Sequence, residues 1–205
     1  MGVGIQMHNY IVNPKNIEKR SFEIITEALG EKLNDVDPIK SNVIKRVIHT
    51  TGNLDMWNKL YFSEDYFDFF KRKIQNKKIY TDVNMIKSGL SKNFVKNLNI
   101  DCFISDEAIS KKSKLTGISR AYLSMEKALE MEDGIFIVGN APTALFKLLE
   151  SKKKLFIIGV PVGFVGAAES KEALMKSQHS FITLPGNMGG STIAVAIFNA
   201  LIRSL

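Results

Sequence analysis

The feature that most constrains the fold of this chain is a series of short, continuously apolar segments separated by helical segments. These apolar segments are IYTDV at 79–83, DCFIS at 101–105, GIFIVG at 134–139, LFIIGV at 155–160 and SFITL at 180–184. A continuous apolar run, rather than an alternating one, is typical of a strand that is covered on both faces. The alternation of such runs with helices predicts an α/β fold with a mostly parallel sheet of about five strands and helices on both faces.

The N-terminal part of the chain is predicted to be helical. Asn13-Pro14 and Asp37-Pro38 each combine an N-cap residue with a proline in the first helical turn, and Gly30 and Gly52 are plausible stops. Further helices are expected at 63–75, 91–98, 117–131, 141–152, 168–177 and 190–204. The chain shows no internal repeat and no flexible linker, so we expect a single domain over residues 1–205.

Composition limits the environment and the partners of the protein. The single cysteine, Cys102, excludes an internal disulfide and fits a reducing cytoplasm. We expect a cytoplasmic protein that neither carries a secretion signal nor spans a membrane, because no apolar run reaches the roughly 18 residues that a span needs. The formal net charge of +7 favours an anionic partner, such as nucleic acid, a phosphate or a polycarboxylate.

Three of the expected strands run directly into turns rich in glycine and proline, around Asn140, Gly163 and Gly189. Such turns lie at the carboxyl ends of parallel strands, where ligands usually bind, and N–H groups at the following helix starts favour anions. The glycine spacing matches neither the dinucleotide motif nor the P-loop, so NAD and ATP are not supported. Each turn alone could be a simple tight connection, but together they predict a shared ligand site.

His49 is the histidine whose position suggests chemistry. On a helical wheel it lies opposite the apolar stripe that includes Val43 and Val47, on the same side as Lys45 and Arg46. The helix end favours the imidazolium form and the two cations oppose it, so an arriving carboxylate would decide the protonation state. His49 is therefore a candidate acid/base group, and the alternative is a solvated histidine at a helix end.

Several long motifs are similar to those of one known family. They are IEKRSFEII at 17–25, RVIHTTG at 46–52, YTDVNMIKSGL at 80–90, SRA at 119–121, VGNAPTALFKLLE at 138–150, IGVPVGFVGAAESKEAL at 158–174 and LPGNMGGSTIAVAIFNAL at 184–201. With these segments the chain resembles, over nearly its whole length, the precorrin-8X and cobalt-precorrin-8 methylmutases of corrin (cobalamin) biosynthesis.

The resemblance implies an α/β homodimer with the active site at the subunit interface. It implies an isomerase that shifts a methyl group from C11 to C12 of a tetrapyrrole substrate, yields a cobyrinate-type product, and needs no cofactor or metal site. The family's acid/base histidine falls on His49. The substrate contacts that we expect are Arg20, Ser21, Asp82, Ser119, Arg120, Asn140 and Gly189.

Two other classes of function remain open from the residues alone. A non-catalytic binder of a tetrapyrrole or another polyanion would keep the basic, glycine-rich turns but would have no need of His49. A basic nucleic-acid-binding protein would show a steep salt dependence of DNA affinity, although no recognised nucleic-acid-binding module is present. The sequence leaves open whether the physiological substrate contains cobalt.

Overall fold

A computed structural model describes residues 11–205, which are built around one six-stranded sheet. The strands are β1 (Tyr61–Phe62), β2 (Lys78–Thr81), β3 (Asn99–Asp101), β4 (Ile135–Val138), β5 (Phe156–Gly159) and β6 (Ser180–Thr183). Their order across the sheet is β1-β6-β5-β4-β2-β3, and only the β1–β6 pair is antiparallel. His8 and the N-terminal segment in which we saw no secretion signal lie outside the described residues.

Helices surround the sheet. They are α1 (Pro14–Leu29), α2 (Pro38–Thr51), α3 (Tyr66–Ile74), α4 (Asn84–Gly89), α5 (Glu107–Thr116), α6 (Arg120–Glu130), α7 (Pro142–Leu149), α8 (Ala167–Met175) and α9 (Ser191–Ile202). The starts of α1 and α2 follow the predicted chemistry, since the side chains of Asn13 and Asp37 each accept two backbone N–H bonds in the first turn. Within residues 11–205, no helix combines the length and the apolar character needed to cross a membrane.

Alternate residues of the strands separate two hydrophobic cores. Ile135 and Ile137 of β4 belong to the core formed with α1, α2, α3, α4 and α9, whereas Phe136 and Val138 belong to the core formed with α6, α7 and α8. Both faces of the sheet are therefore covered, which explains why the strand segments read as continuously apolar. The predicted α/β class, with a mostly parallel sheet and helices on both faces, is confirmed.

Some element predictions are wrong. Residues 91–98, predicted as a helix, form a series of turns, while α4 and α5 form where no helix was expected. Only Asp101 of the segment DCFIS lies in a strand, because β3 begins at Asn99 and ends at Asp101. The sheet has six strands rather than about five, since Tyr61–Phe62 adds a short antiparallel strand at the β6 edge.

The strand order locates a crevice in the sheet. The chain leaves β2 towards β3 on one side, returns to form β4 on the other side of β2, and then continues outward through β5 and β6. The point where this direction reverses lies between β2 and β4, and open α/β sheets usually bind ligands at the carboxyl ends of the strands beside such a point. Asp82 follows β2 at this position, and Gly139 and Asn140 follow β4.

Candidate active site

The centre of the candidate site is a pair formed by His49 and Ser21. Helix α1 packs across α2, and this brings Ser21 Oγ to 2.7 Å from His49 Nδ1, although the two residues are 28 positions apart in sequence. The ring of Phe22 lies beside the imidazole, with 5.8 Å between the ring centroids. His49 is half-buried, so the description of a solvated histidine at a helix end does not fit it.

Charged residues around this pair join three helices. The carboxylate of Glu18 in α1 forms ion pairs with the guanidinium groups of Arg46 in α2 and Arg203 after α9, the latter at 2.6 Å. The hydrogen bond from Arg46 is the main reason that the pKa of Glu18 lies below its usual range. Arg46 also stacks over the Phe22 ring at 4.7 Å. The cationic face expected on α2 is therefore partly neutralised by α1.

A cavity of about 380 Å³ opens beside His49. Its lining includes Arg46 and His49 of α2, Met85 of α4, and Ser191 and Thr192 at the start of α9. This pocket connects the histidine with the start of α9, which follows the Gly189–Gly190 turn. A larger cavity of about 830 Å³ runs along α1, with Glu18, Phe22 and Arg203 in its lining, and contains none of the candidate site residues. Within residues 11–205, no three His, Cys, Asp or Glu side chains are grouped so that they could hold a metal ion.

Asp82 lies at the crevice between β2 and β4, and its carboxylate is bonded within the protein. Its side chain is fully buried, and its carboxylate oxygens accept hydrogen bonds from the backbone N–H groups of Gly139 at 3.1 Å, Asn140 at 2.8 Å and Ala141 at 2.8 Å. Burial raises the pKa of Asp82, and the three N–H donors oppose this effect. These three N–H groups are therefore occupied by Asp82 and are not free for the anionic ligand that N–H groups at helix starts favour, so Asp82 supports the turn.

Ser119 and Arg120 lie next to the same turn. Ser119 is the N-cap of α6, and its hydroxyl also lies 2.7 Å from Thr143 Oγ1 in the first turn of α7. Arg120 is exposed and forms no ion pair with any residue from 11 to 205. A Cβ atom placed on Gly139 would lie 3.0 Å from Ser191 Cα, so the β4 turn packs directly against the start of α9. The Asn140 turn and the His49 pocket are thus neighbouring parts of one surface.

The turns around Gly163 and Gly189 are joined to each other. Gly163 N–H donates to Asn187 O at 3.1 Å, and Gly190 N–H donates to Val160 O at 2.9 Å. Gly189 itself touches the β5 turn, since a Cβ atom at this position would lie 2.2 Å from Val160 O and 2.6 Å from Pro161 O. Glycine is required here because two backbone segments approach too closely for any side chain.

Of the candidate residues only His49 lines the pocket itself, and Arg20 points away from it. Although it precedes Ser21, its side chain is half exposed and lies near Glu23 at 3.2 Å and Glu27 at 3.8 Å, on the outer side of α1. Successive residues of a helix point in directions about 100° apart, which separates Arg20 from Ser21.

Lys171 is a residue of this region that the sequence analysis did not single out. It lies in α8, its side chain is fully buried, and its Nζ donates to Met188 O at 2.6 Å. Burial lowers the pKa of Lys171 to about 8. A signal was present, because Ala167, Lys171 and Leu174 have the i, i+4, i+7 spacing of one buried helix face.

The fold and the site define an α/β protein with a histidine-containing pocket at the carboxyl edge of a parallel sheet. Comparison with known proteins identifies its family. Residues 16–204 match the family model described as precorrin-8X methylmutase. The chain is 40% identical to the cobalt-precorrin-8 methylmutase of Salmonella typhimurium, over 97% of this chain and 99% of that protein. It is 30% identical to the precorrin-8X methylmutase of a Sinorhizobium species, over 96% and 97% of the two chains.

A solved structure agrees with these matches. The precorrin-8X methylmutase of Thermus thermophilus superposes with a TM-score of 0.84 at 32% identity, over 92% of this chain and 95% of that one. The chain therefore belongs to the precorrin-8X methylmutase family, a family of isomerases. This membership decides against a non-catalytic binder or a nucleic-acid-binding protein.

Proposed function

We propose that this protein catalyses the intramolecular shift of a methyl group from C11 to C12 of cobalt-precorrin-8, giving a cobyrinate-type product in corrin biosynthesis. The observation that carries this proposal is the Ser21–His49 pair beside a pocket at the carboxyl edge of the sheet. The reaction rearranges one molecule without gain or loss of atoms, so it needs no nucleophile and no second substrate. It needs a macrocycle that is held in one orientation and one protonation state.

His49 is the group that sets the protonation state of the macrocycle. Its Nδ1 is held by the Ser21 hydroxyl, whereas Nε2 makes no hydrogen bond to any residue from 11 to 205 and is left for the substrate. A hydroxyl both donates and accepts, so Ser21 can donate to neutral His49 and accept from its imidazolium form. The pair therefore keeps the ring orientation fixed while His49 gives a proton to the macrocycle or takes one back.

The cobalt-containing form of the substrate is favoured by the comparisons. Of the relatives described above, the protein named for cobalt-precorrin-8 is 40% identical to this chain, and the one named for precorrin-8X is 30% identical. Cobalt would enter the site as part of the substrate, bound by the tetrapyrrole.

Carboxylate side chains at the edge of the macrocycle would be recognised by cations and hydrogen-bond donors at the rim of the crevice. Arg120 is suited to this role because its guanidinium is exposed and has no carboxylate partner within residues 11–205. Ser119, Asn140 and Gly189 border the same surface and complete the proposed substrate contacts. Asp82 contributes by holding the Asn140 turn in place.

We further propose that the active protein is a cytoplasmic homodimer whose partner subunit closes the site. A pocket of about 380 Å³ lies near the lower end of the range for ligand sites, about 300–1,000 Å³, and a tetrapyrrole with its side chains is a large ligand. The β5–α8 loop beside the Gly189 turn also exposes Phe164 and Val165, which are 91% and 89% accessible. A second chain would cover these apolar side chains, and sedimentation analysis would test this because a monomer contradicts the proposal.

The central experiment compares cobalt-precorrin-8 and metal-free precorrin-8X as substrates, with turnover followed by visible absorption. We expect conversion of both, with a higher kcat/KM for the cobalt compound. His49→Ala should fold normally and lose turnover by about 10²–10⁴-fold, as expected for a general acid/base group.

Asn42→Ala is the matched control, because Asn42 is exposed on the same helix and does not line the His49 pocket. Near-normal turnover by His49→Ala would refute the acid/base role. Failure of the wild-type protein to convert either compound would refute the proposed function itself.

A further inference from the structure

Lys171 is a buried cation that no carboxylate in the described part of the chain balances. Its side chain has no accessible surface, and among residues 11–205 it takes part in no salt bridge. Its one hydrogen-bond acceptor in the range that the structure describes is the carbonyl oxygen of Met188, at 2.6 Å. An ammonium group has three donors and is costly to bury with a single neutral partner, so an apolar side chain would suit this position better for packing alone.

The carbonyl that Lys171 holds belongs to the peptide unit joining Met188 to Gly189. In a trans peptide the C=O and N–H groups point in opposite directions, and the described chain has no cis peptide. The Met188 carbonyl points towards the buried ammonium, so the Gly189 N–H points away from it. Gly189 is partly exposed, and no acceptor within residues 11–205 takes a hydrogen bond from its N–H.

The surroundings of Gly189 keep this peptide in place. Gly190 N–H is fixed to Val160 O, and the Gly189 Cα lies against the backbone of Val160 and Pro161. The next residues, Ser191 and Thr192, line the pocket that contains His49. The free N–H group therefore belongs to a rigid turn that borders the candidate active site.

We infer that Lys171 is a positioning residue, whose ammonium group fixes and polarises the Met188–Gly189 peptide so that the Gly189 N–H donates a hydrogen bond to a carboxylate of the substrate. An ammonium on the carbonyl side of a peptide draws electron density towards the oxygen, and this strengthens the N–H donor on the other side. Lys171 thus acts on an anionic ligand through one peptide unit without touching it. The inference rests on the proposed function, because it requires a substrate with carboxylate groups.

The test compares Lys171→Met with Lys176→Met. The first variant removes the charge and keeps the length and apolar character of the side chain. The second removes the same charge from an exposed position just after the same helix. Steady-state kinetics with cobalt-precorrin-8 should show that Lys171→Met raises KM about tenfold, as expected for loss of a hydrogen bond to a charged group. Its kcat should stay close to the wild-type value because His49 is unchanged.

A spectroscopic readout separates positioning from a merely structural role. In proteins labelled with ¹⁵N-glycine, the Gly189 amide proton should move to lower frequency in Lys171→Met and stay in place in Lys176→Met. An unchanged KM in Lys171→Met, or an equal rise in both variants, would overturn the inference.

A third measurement uses the wild-type protein, in case Lys171→Met does not fold. Addition of the reaction product should shift the Gly189 amide resonance, and an unmoved resonance would overturn the inference. Failure of the proposed function is a different result, since the wild-type protein itself would then not convert cobalt-precorrin-8.

Discussion

Replacement of Gly189 by alanine is the sharpest perturbation of the candidate site. The added Cβ atom would meet Val160 O at 2.2 Å and Pro161 O at 2.6 Å, and both neighbours are backbone atoms that no rotamer change can move. Ordinary contacts between non-bonded heavy atoms are roughly 3.5 Å, so the two turns must separate by about 1 Å. The Gly190 N–H bond to Val160 O lies within the same contact and would be strained or lost.

The size of the effect follows from this displacement. Overpacking of this kind costs about 1–3 kcal/mol, and each kcal/mol lowers Tm by roughly 2–4 °C in a chain of 150–250 residues. A displacement of about 1 Å in a positioning element can reduce kcat on the order of 10²-fold. We therefore expect Gly189→Ala to lower both Tm and kcat.

The assay combines thermal unfolding by circular dichroism with turnover of cobalt-precorrin-8. Gly186→Ala is the matched control, because Gly186 lies in the same turn with φ of 77° and an added Cβ would have no neighbour within 4 Å. The free energy of unfolding of this control should fall by only roughly 1–2 kcal/mol, the cost of a left-handed backbone for alanine, and its kcat should be unchanged. Wild-type Tm and kcat in Gly189→Ala would show that the two turns are not in the contact described.

Three further results are expected. Ser21→Ala should lower kcat about tenfold with little change in Tm, since it removes the hydrogen bond that orients His49 Nδ1. Unchanged kinetics would show that Ser21 does not assist His49 in catalysis. Arg120→Lys should weaken substrate binding more than Lys153→Ala, because lysine cannot copy the two-pronged contact of a guanidinium with a carboxylate; equal losses in a binding titration would mean that positive charge acts diffusely. The pKa of Lys171 is about 8 in the folded protein, below its unfolded value of 10.5. Between pH 8 and pH 10.5 the unfolded chain therefore binds more protons than the folded one at this residue. Lys171 thus makes the free energy of unfolding rise with pH across that window. Urea unfolding at several pH values should show this rise in the wild type and a smaller rise in Lys171→Met. Parallel profiles of unfolding free energy against pH for the two proteins would contradict this prediction.

The sequence predicts the parallel part of the sheet well, for a physical reason. Strands β4, β5 and β6 are buried on both faces, so each appears as an uninterrupted apolar run that ends at a glycine- or proline-bearing turn. The helices α7, α8 and α9 then begin within a residue or so of their predicted starts. These elements pack against one another around the sheet, and their local pattern is consistent with the final fold.

The missed helices lack such a pattern. Helix α4 has only six residues, and α5, with the sequence EAISKKSKLT, buries a single side chain, that of Ile109. Gly117 ends α5 in a left-handed conformation, which separates it from α6, although residues 117–131 were predicted as one helix. A short or nearly solvated helix carries too few apolar residues for its period to be recognised.

The residues of the candidate site likewise divide into those that the sequence predicts and those whose role only the structure shows. His49 could be selected from its helix, but its pairing with Ser21 arises from the packing of α1 on α2, which no local pattern encodes. Asp82 stands where a ligand contact would be expected, directly after a strand, yet its carboxylate is used by three backbone donors. Such uses of a polar residue depend on which turns meet across the sheet, so they become visible only in three dimensions.

The ion pairs of Glu18 have a consequence for synthesis of the protein. Glu18 in α1 is bonded to Arg203 after α9, a separation of 185 residues, and Ser191 and Thr192 of α9 line the His49 pocket. The chain emerges from the ribosome with its N-terminus first. The pocket therefore stays without one wall until α9 has been released, so the candidate site is complete only when translation has passed this helix.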